Sequence, residues 1–188
     1  MFVALIRRLL LEPMRRLGLR ALVHRTEGAT VVEFGLVVAP FIALLFAILQ
    51  TVLVFFAGRV LDTAVAQSAR LILTGQAQDQ GFSQSAFANA VCGKIYALFT
   101  CGNLMIDVQT ASSFSNANTS TPTLTFNGSG SVTNNWQYQP GNPGDIVVVR
   151  VMYQWPVFLG PLGFNLSNLG NGKRLLTSTA AFKNEPYQ

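Results

Sequence analysis

Apolar positions are distributed very unevenly along this chain. Residues 34–57 form a run of 24 without a charged side chain, and Gln50 is the single strongly polar member. At 1.5 Å per residue, a helix of this length spans about 36 Å, enough to cross a hydrocarbon core of roughly 30 Å. The pattern predicts a transmembrane helix. Pro40 is expected to bend it, because proline removes one backbone donor.

The helical pattern continues beyond the uncharged run. Apolar residues recur every three or four positions, with polar side chains on the other faces, as in an amphipathic helix. These residues are Ala57, Leu61, Val65, Ala69 and Ile72. We expect the helix to reach about Thr74 and to end at Gly75 and the polar run 76–81.

Shorter apolar patterns follow. Residues 83–99 predict a second helix, with Phe82 packed against its start and one apolar face. That face consists of Phe87, Val91, Ile95 and Leu98. Strands are predicted at 104–110, 146–155 and 175–182, which are rich in β-branched or aromatic residues. Because consecutive strands usually pair, we expect an α+β fold: an antiparallel sheet of about three or more strands covered by helices.

Residues 111–144 differ from their surroundings in composition. They contain no Asp, Glu, Lys or Arg and are dominated by Ser, Asn, Thr, Gly and Pro. A hairpin is predicted around Asn127 and Gly128, because Asn-Gly favours tight turns. Two interpretations stay open: a contact surface for a partner, or a tolerated surface insertion.

Charge is concentrated at the start of the chain. Half of all residues are apolar, only 11% are charged, and the net charge is +5. Six arginines precede residue 29, whereas the remainder holds seven bases and six acids. The six are Arg7, Arg8, Arg15, Arg16, Arg20 and Arg25. No basic face is left for nucleic acid, so that partner is not expected.

The arginines also predict the topology. Positive flanks stay in the cytoplasm, which gives three segments: a cytoplasmic leader at 1–28, a transmembrane helix at 29–58 and an exported domain at 59–188. A cleaved secretory signal fits less well, because the apolar run is too long for its core and leads directly into more helix.

The chain contains two cysteines, Cys92 and Cys101. Without histidine nearby they cannot form a four-ligand metal site, so no metal is expected. A disulfide is expected if the domain is exported to an oxidising space, and a pair of buried thiols is the alternative.

Catalytic chemistry is not expected. The one histidine, His24, precedes the apolar run, so no Ser-His-Asp or Cys-His arrangement can form in the exported domain. The exported acids form no obvious pair, and no phosphate-binding or zinc motif occurs. We therefore expect neither catalytic residues nor a cofactor.

A short motif precedes the apolar run. Glu33 lies at its edge, where a carboxylate costs about 2.5 kcal/mol if fully inserted and less near the interface. Cleavage after Gly28 would create an amine at Ala29, one helical turn before Glu33, that could neutralise it. The alternative is an interfacial glutamate in an unprocessed signal anchor.

Gly28, Glu33 and Phe34, with Arg25 upstream, resemble the class III signal sequence of prepilins from the tight-adherence (Flp) branch of type IV pili. The resemblance implies that a membrane-embedded prepilin peptidase cuts after Gly28. It also implies that Glu33 aids assembly by pairing with the amine of a neighbouring subunit. Because Ala29 stands where other prepilins have Phe, amino-terminal methylation is not assumed.

The end of the sequence carries a second resemblance. Phe182 and Lys183, then Asn-Glu-Pro at 184–186 and Tyr187, are similar to the ending of TadE-like minor pseudopilins. The likeness implies that the α+β fold is pilin-like, and that the subunit acts in assembly or at the tip of the pilus. Its partners would be other pilin or pseudopilin subunits, prepilin peptidase, the inner-membrane assembly platform and the lipid bilayer. The alternative is an unprocessed single-pass protein whose exported domain binds an extracellular partner.

Overall fold

The computed structural model describes residues 26–95, 97–158 and 163–186. Most of the predicted leader, residues 1–25, and Tyr187 lie outside the described residues. The helices are α1 (Thr26–Leu73), α2 (Gln76–Asp79) and α3 (Gln84–Ile95). The strands are β1 (Met105–Ala111), β2 (Ile146–Trp155) and β3 (Arg174–Lys183). The expected α+β class is confirmed.

The helix boundaries have local causes. α1 ends before Gly75, whose φ of 80° is the left-handed conformation that glycine adopts readily. The polar run that follows, which is predicted to end the helix, contains the single turn of α2. α3 begins after Ser83, whose Oγ accepts a hydrogen bond from the amide of Ala86. It stops at Ile95, four residues before the predicted end, in a turn where Phe99 donates to the Ile95 carbonyl.

The sheet has the strand order β1-β2-β3, and both pairings are antiparallel. Each strand lies within one residue of its predicted limits. A further short stretch extends the β1 edge, where Val108 forms a parallel bridge with Tyr138. The strand β2 is therefore central and is buried along most of its length.

The main core lies between one face of the sheet and the helices. From α1 and α3 it takes fully buried side chains at helical spacing, and from the sheet it takes alternate residues. The helical members include Leu61, Val65, Ile72, Phe87 and Val91. The sheet members include Ile106, Val108, Val147, Val149 and Val151. The amphipathic continuation of α1 is thus the helical side of the core.

The opposite face of the sheet is covered by residues 111–144. Leu124 packs there with Met105 and Met152 in a second, smaller cluster. The predicted hairpin is present: Phe126 and Val132 form an antiparallel bridge, and both pack against this cluster. Part of the segment thus forms a third layer on the sheet, while most of its residues remain exposed.

The chain divides into two compact units after Ile48. The first contains the N-terminal part of α1, and the second contains the sheet, the other helices and the rest of α1. All the contacts described below lie within the second unit unless they belong to α1 alone.

Candidate functional site

The N-terminal part of α1 is an apolar surface that the other described residues leave largely open. Its large apolar side chains from Val31 to Phe56 are mostly more than half exposed. Such a surface in water would be far larger than the apolar patches of soluble proteins. Among the described residues, one helix has the length and composition of a membrane span, at Thr30–Leu73. The helix is consistent with a single-pass membrane anchor.

Burial begins abruptly near the end of the uncharged run. Val54 is 5% exposed and Ala57 is completely buried, whereas Phe55 and Phe56 remain 65% and 55% exposed. One face of α1 therefore contacts the domain while its other faces remain apolar and open. The same helix combines a surface suited to lipid with a surface suited to a protein core.

The residues of the predicted processing motif all lie on α1. Gly28 and Ala29 belong to its first turn, since the helix begins at Thr26. Glu33 is exposed and has no ion-pair partner among the described residues, and Phe34 is 69% exposed. Glu33 and Phe34 are thus presented on the helix surface, and the Glu33 carboxylate is available to a cation from outside the described part of the chain.

The polar residue of the uncharged run has a specific partner. The side-chain amide of Gln50 donates a 2.7 Å hydrogen bond to the backbone carbonyl of Phe158, in the β2–β3 loop at residues 156–173. The bond satisfies a polar group that would be costly to leave unpaired in an apolar environment. The side chain of Phe158 itself is 77% exposed.

Cys92 and Cys101 form a disulfide, with their Cα atoms 5.6 Å apart. Cys92 is a buried residue of α3, and Cys101 lies in the short 3₁₀ helix Cys101–Asn103 that precedes β1. The bond fastens the end of α3 to the start of the sheet, as expected for a domain in an oxidising compartment.

A buried ion pair joins two strands at residues that sequence reasoning did not select. Asp107 and Arg150 face each other across β1 and β2, and their side chains are 2% and 6% exposed. Arg150 also donates to the carbonyl of Ser120, and Asp107 accepts from the amide of Gln137. The pair therefore holds two separate parts of the covering segment (residues 111–144), at Ser120 and at Gln137, against the sheet. A lone charge in each of two strongly apolar strands was the signal in the sequence.

The Asn-Glu-Pro segment closes the domain. Asn184 is 2% exposed, and its side-chain amide donates to the carbonyls of Pro140 and Asn142. The next backbone amide, of Glu185, donates to the carbonyl of Leu73 at the end of α1. This contact satisfies a helix carbonyl that has no partner within its own helix. The segment thus ties the end of α1 to the end of residues 111–144.

Tyr138 lies at the border of the main core, with its ring 5.9 Å from that of Phe87. Its buried hydroxyl has no hydrogen-bond partner in the described part of the chain. Burial disfavours the phenolate and raises the pKa of Tyr138 to about 12.

No group of three or more His, Cys, Asp or Glu side chains comes together within residues 26–95, 97–158 and 163–186. The candidate functional features are instead the apolar part of α1, the exposed carboxylate of Glu33, and a domain stabilised by a disulfide and a buried ion pair.

These features define a class of protein: a single N-terminal helix able to anchor in a membrane, continuous with an α+β domain. Within this class, residues 28–70 match the family model described as TadE, TadE-like protein. The resemblance to TadE-like proteins of the tight-adherence system is thereby confirmed over almost the whole of α1. The family is associated with the pilus and is structural rather than catalytic in character, and its members act together with other pilus components. Searches of curated proteins and of solved structures give no significant match.

Proposed function

We propose that this chain is a minor pilin or pseudopilin of a tight-adherence pilus, matured by prepilin peptidase cleavage after Gly28. The observation that supports this most directly is the extent of the family match. It begins at Gly28, the residue after which cleavage is proposed, and continues along the helix to residue 70. The matched segment thus contains the residue of the proposed cut and most of the proposed mature helix.

In the proposed topology the leader stays in the cytoplasm and the domain from residue 59 onward is exported from the inner membrane. The arginines before residue 29 support this direction. The disulfide between Cys92 and Cys101 supports it independently, because such bonds persist mainly outside the cytosol.

Assembly would depend on the two surfaces of α1. Its open apolar faces would pack against the helices of neighbouring subunits when the chain leaves the bilayer. The exposed carboxylate of Glu33 would pair with the new amine of a neighbour, and so lose the cost of an isolated charge in an apolar environment. The exported sheet would dock the subunit in assembly or at the tip of the pilus.

The experiment is to determine the mass and amino-terminal sequence of the protein isolated from its native host. The proposal predicts a chain beginning at Ala29. Gly28→Val should retain residues 1–28, whereas the matched variant Gly35→Val should be processed, because a side chain at Gly35 meets no atom within 4 Å. An uncut native chain, in cells with active prepilin peptidase, would support the alternative: a membrane-anchored protein whose exported domain binds an extracellular partner.

A further inference from the structure

We propose that the start of the β2–β3 loop, at Pro156, Val157 and Phe158, is a second membrane contact that enters the outer edge of the bilayer beside α1. The proposal rests on the membrane anchoring that forms part of the proposed function. It adds a lipid-binding surface to the exported domain, away from the helix itself.

Depth is the first argument. Gln50 lies seven residues before Ala57, the last residue of the uncharged run. At 1.5 Å per residue, this places Gln50 about 10 Å inside the apolar segment. Because the Gln50 side chain is bonded to the Phe158 carbonyl at 2.7 Å, the start of the loop must lie at nearly the same depth as Gln50. If the apolar segment is in lipid, the start of the loop reaches the bilayer as well.

The chemistry of the loop is the second argument. Residues 156–172 contain no charged side chain, and the first charges after them are Lys173 and Arg174. Phe158 is 77% exposed, an unusual position for an aromatic ring in water. Trp155 stands at the base of the loop, where it packs edge-on against Phe99. Aromatic rings next to an apolar segment, with basic residues where the same loop ends, are typical of a surface that lies in the membrane interface.

The hydrogen bond is the third argument. A loop can enter an apolar phase only if its backbone polar groups are satisfied. Gln50 supplies that partner for the Phe158 carbonyl, and the carbonyl in turn satisfies a polar side chain that interrupts the apolar helix. The Gln50 amide and the Phe158 carbonyl thus satisfy each other at a depth where either group would be costly to leave unpaired.

The test uses the full chain reconstituted in vesicles of phosphatidylethanolamine and phosphatidylglycerol that contain bromine-labelled phosphatidylcholine as a quencher. In a Trp136→Phe, Trp155→Phe background, Phe158→Trp places the single tryptophan, which serves as the fluorescent reporter, at the start of the loop. Phe114→Trp is the matched control, because Phe114 is also exposed, at 58%, but lies in the covering segment. Both positions are open to solvent, so neither replacement disturbs the core.

We expect the tryptophan at position 158 to lose about half its emission to the brominated lipid and to shift to the blue, and the one at position 114 to do neither. Gln50→Leu should reduce the quenching at position 158, and Gln67→Leu, at an exposed position of α1, should not. Equal, weak quenching at both reporters in chains that float with the vesicles would refute the membrane contact of the loop but not the membrane anchoring. It would indicate that the loop contacts a protein partner instead. Failure of the chain to float would instead overturn the membrane anchoring on which it rests.

Discussion

Asp107 on β1 lies directly opposite Arg150 on β2, and their buried side chains form an ion pair between the two strands. The Nε atom of Arg150 is 3.1 Å from Oδ2 of Asp107, and a second guanidinium nitrogen bonds the same oxygen. The pair contacts the covering segment at Ser120 and at Gln137, so it helps to order a region that has few apolar residues of its own. The polar contacts of this ion pair thus hold the covering segment in a place where apolar packing contacts are few.

Removing one member of this pair should be strongly destabilising. Asp107→Ala leaves the guanidinium buried without its counter-ion, and we expect the free energy of unfolding to fall by about 3–5 kcal/mol. Chemical denaturation of the full chain in detergent measures it. The control is Asp62→Ala, which breaks the exposed Arg59–Asp62 pair at 3.6 Å and should change stability by less than about 1 kcal/mol. Equal midpoints for the two variants would contradict the role given to the buried pair.

The disulfide should contribute measurably to the stability of the domain. It closes a loop with a sequence separation of 9, for which the chain-entropy relation gives about 2.7 kcal/mol. Cys92→Ser should therefore lower the melting temperature, and reductant should lower that of the unmodified chain by a similar amount. Reductant should have no effect on the variant. An unmodified chain that melts at the same temperature with and without reductant would refute the prediction.

Stability at high pH should depend on Tyr138. Its pKa is about 12 in the folded protein and 10.0 as a free side chain, so between these values the unfolded chain binds fewer protons than the folded one. The free energy of unfolding must then fall as pH rises from 10 to 12, and the contribution is present in full below pH 10. Solvent partly screens the ring, so we expect about 1 kcal/mol.

Tyr138→Phe is the variant that isolates this contribution. It removes a buried hydroxyl without a described partner, so stability at pH 7 should be equal or slightly higher. Denaturation midpoints compared at pH 9, 10 and 11.5 should fall less steeply in the variant. Identical pH profiles would show that this phenol does not titrate differently on folding.

Asn184 should be the most sensitive residue of the Asn-Glu-Pro segment. Asn184→Ala removes two buried hydrogen bonds, to the carbonyls of Pro140 and Asn142, although each carbonyl keeps another donor, Gln78 or the amide of Asp145. At about 0.5–1.5 kcal/mol for each lost bond, we expect a cost of about 1–3 kcal/mol. The control is Asn171→Ala, which removes an exposed hydrogen bond to Gln154 and should change little. Thermal unfolding followed by circular dichroism measures both, and an unchanged melting temperature for Asn184→Ala would remove the segment's closing role.

Glu33 should matter for assembly and not for folding, because its side chain is exposed on α1. In the proposed function, Glu33→Ala leaves cleavage largely intact but impairs pilus assembly. Val32→Ala, at an adjacent exposed position, should assemble normally. Counting pili by electron microscopy, with immunoblots for processing, separates the two steps. Normal pili in the Glu33→Ala strain would count against the pairing of this carboxylate with a neighbour's amine.

Much of the fold could be predicted from local patterns. The valine-rich run 146–155 predicted β2 at the same residues because β-branched side chains favour a pleated backbone wherever it lies. The uncharged run likewise required a helix, because a bilayer leaves the backbone few other choices. Such elements depend on one segment and one environment.

The missed features all depend on pairing between distant segments. Asp107 was only one of several scattered acids, since nothing local shows that Arg150, 43 residues away, lies opposite it. The covering role of residues 111–144 was missed for the same reason. Its apolar members, such as Leu124 and Phe126, are too few to show a period, and they acquire meaning only beside the second face of the sheet. The loop contact of Gln50 spans 108 residues.

The position of β3 has a consequence for biogenesis. In the proposed topology, the buried stripe of α1 leaves the translocon first, yet the last strand of the sheet begins only at Arg174, about 100 residues later. Until then Leu61 and Ile72 have no complete sheet to pack on, and the domain is exposed to aggregation. In this topology, delivery of β3 therefore competes with misassembly while the chain is exported. A periplasmic chaperone or a docked neighbouring subunit would favour the native outcome.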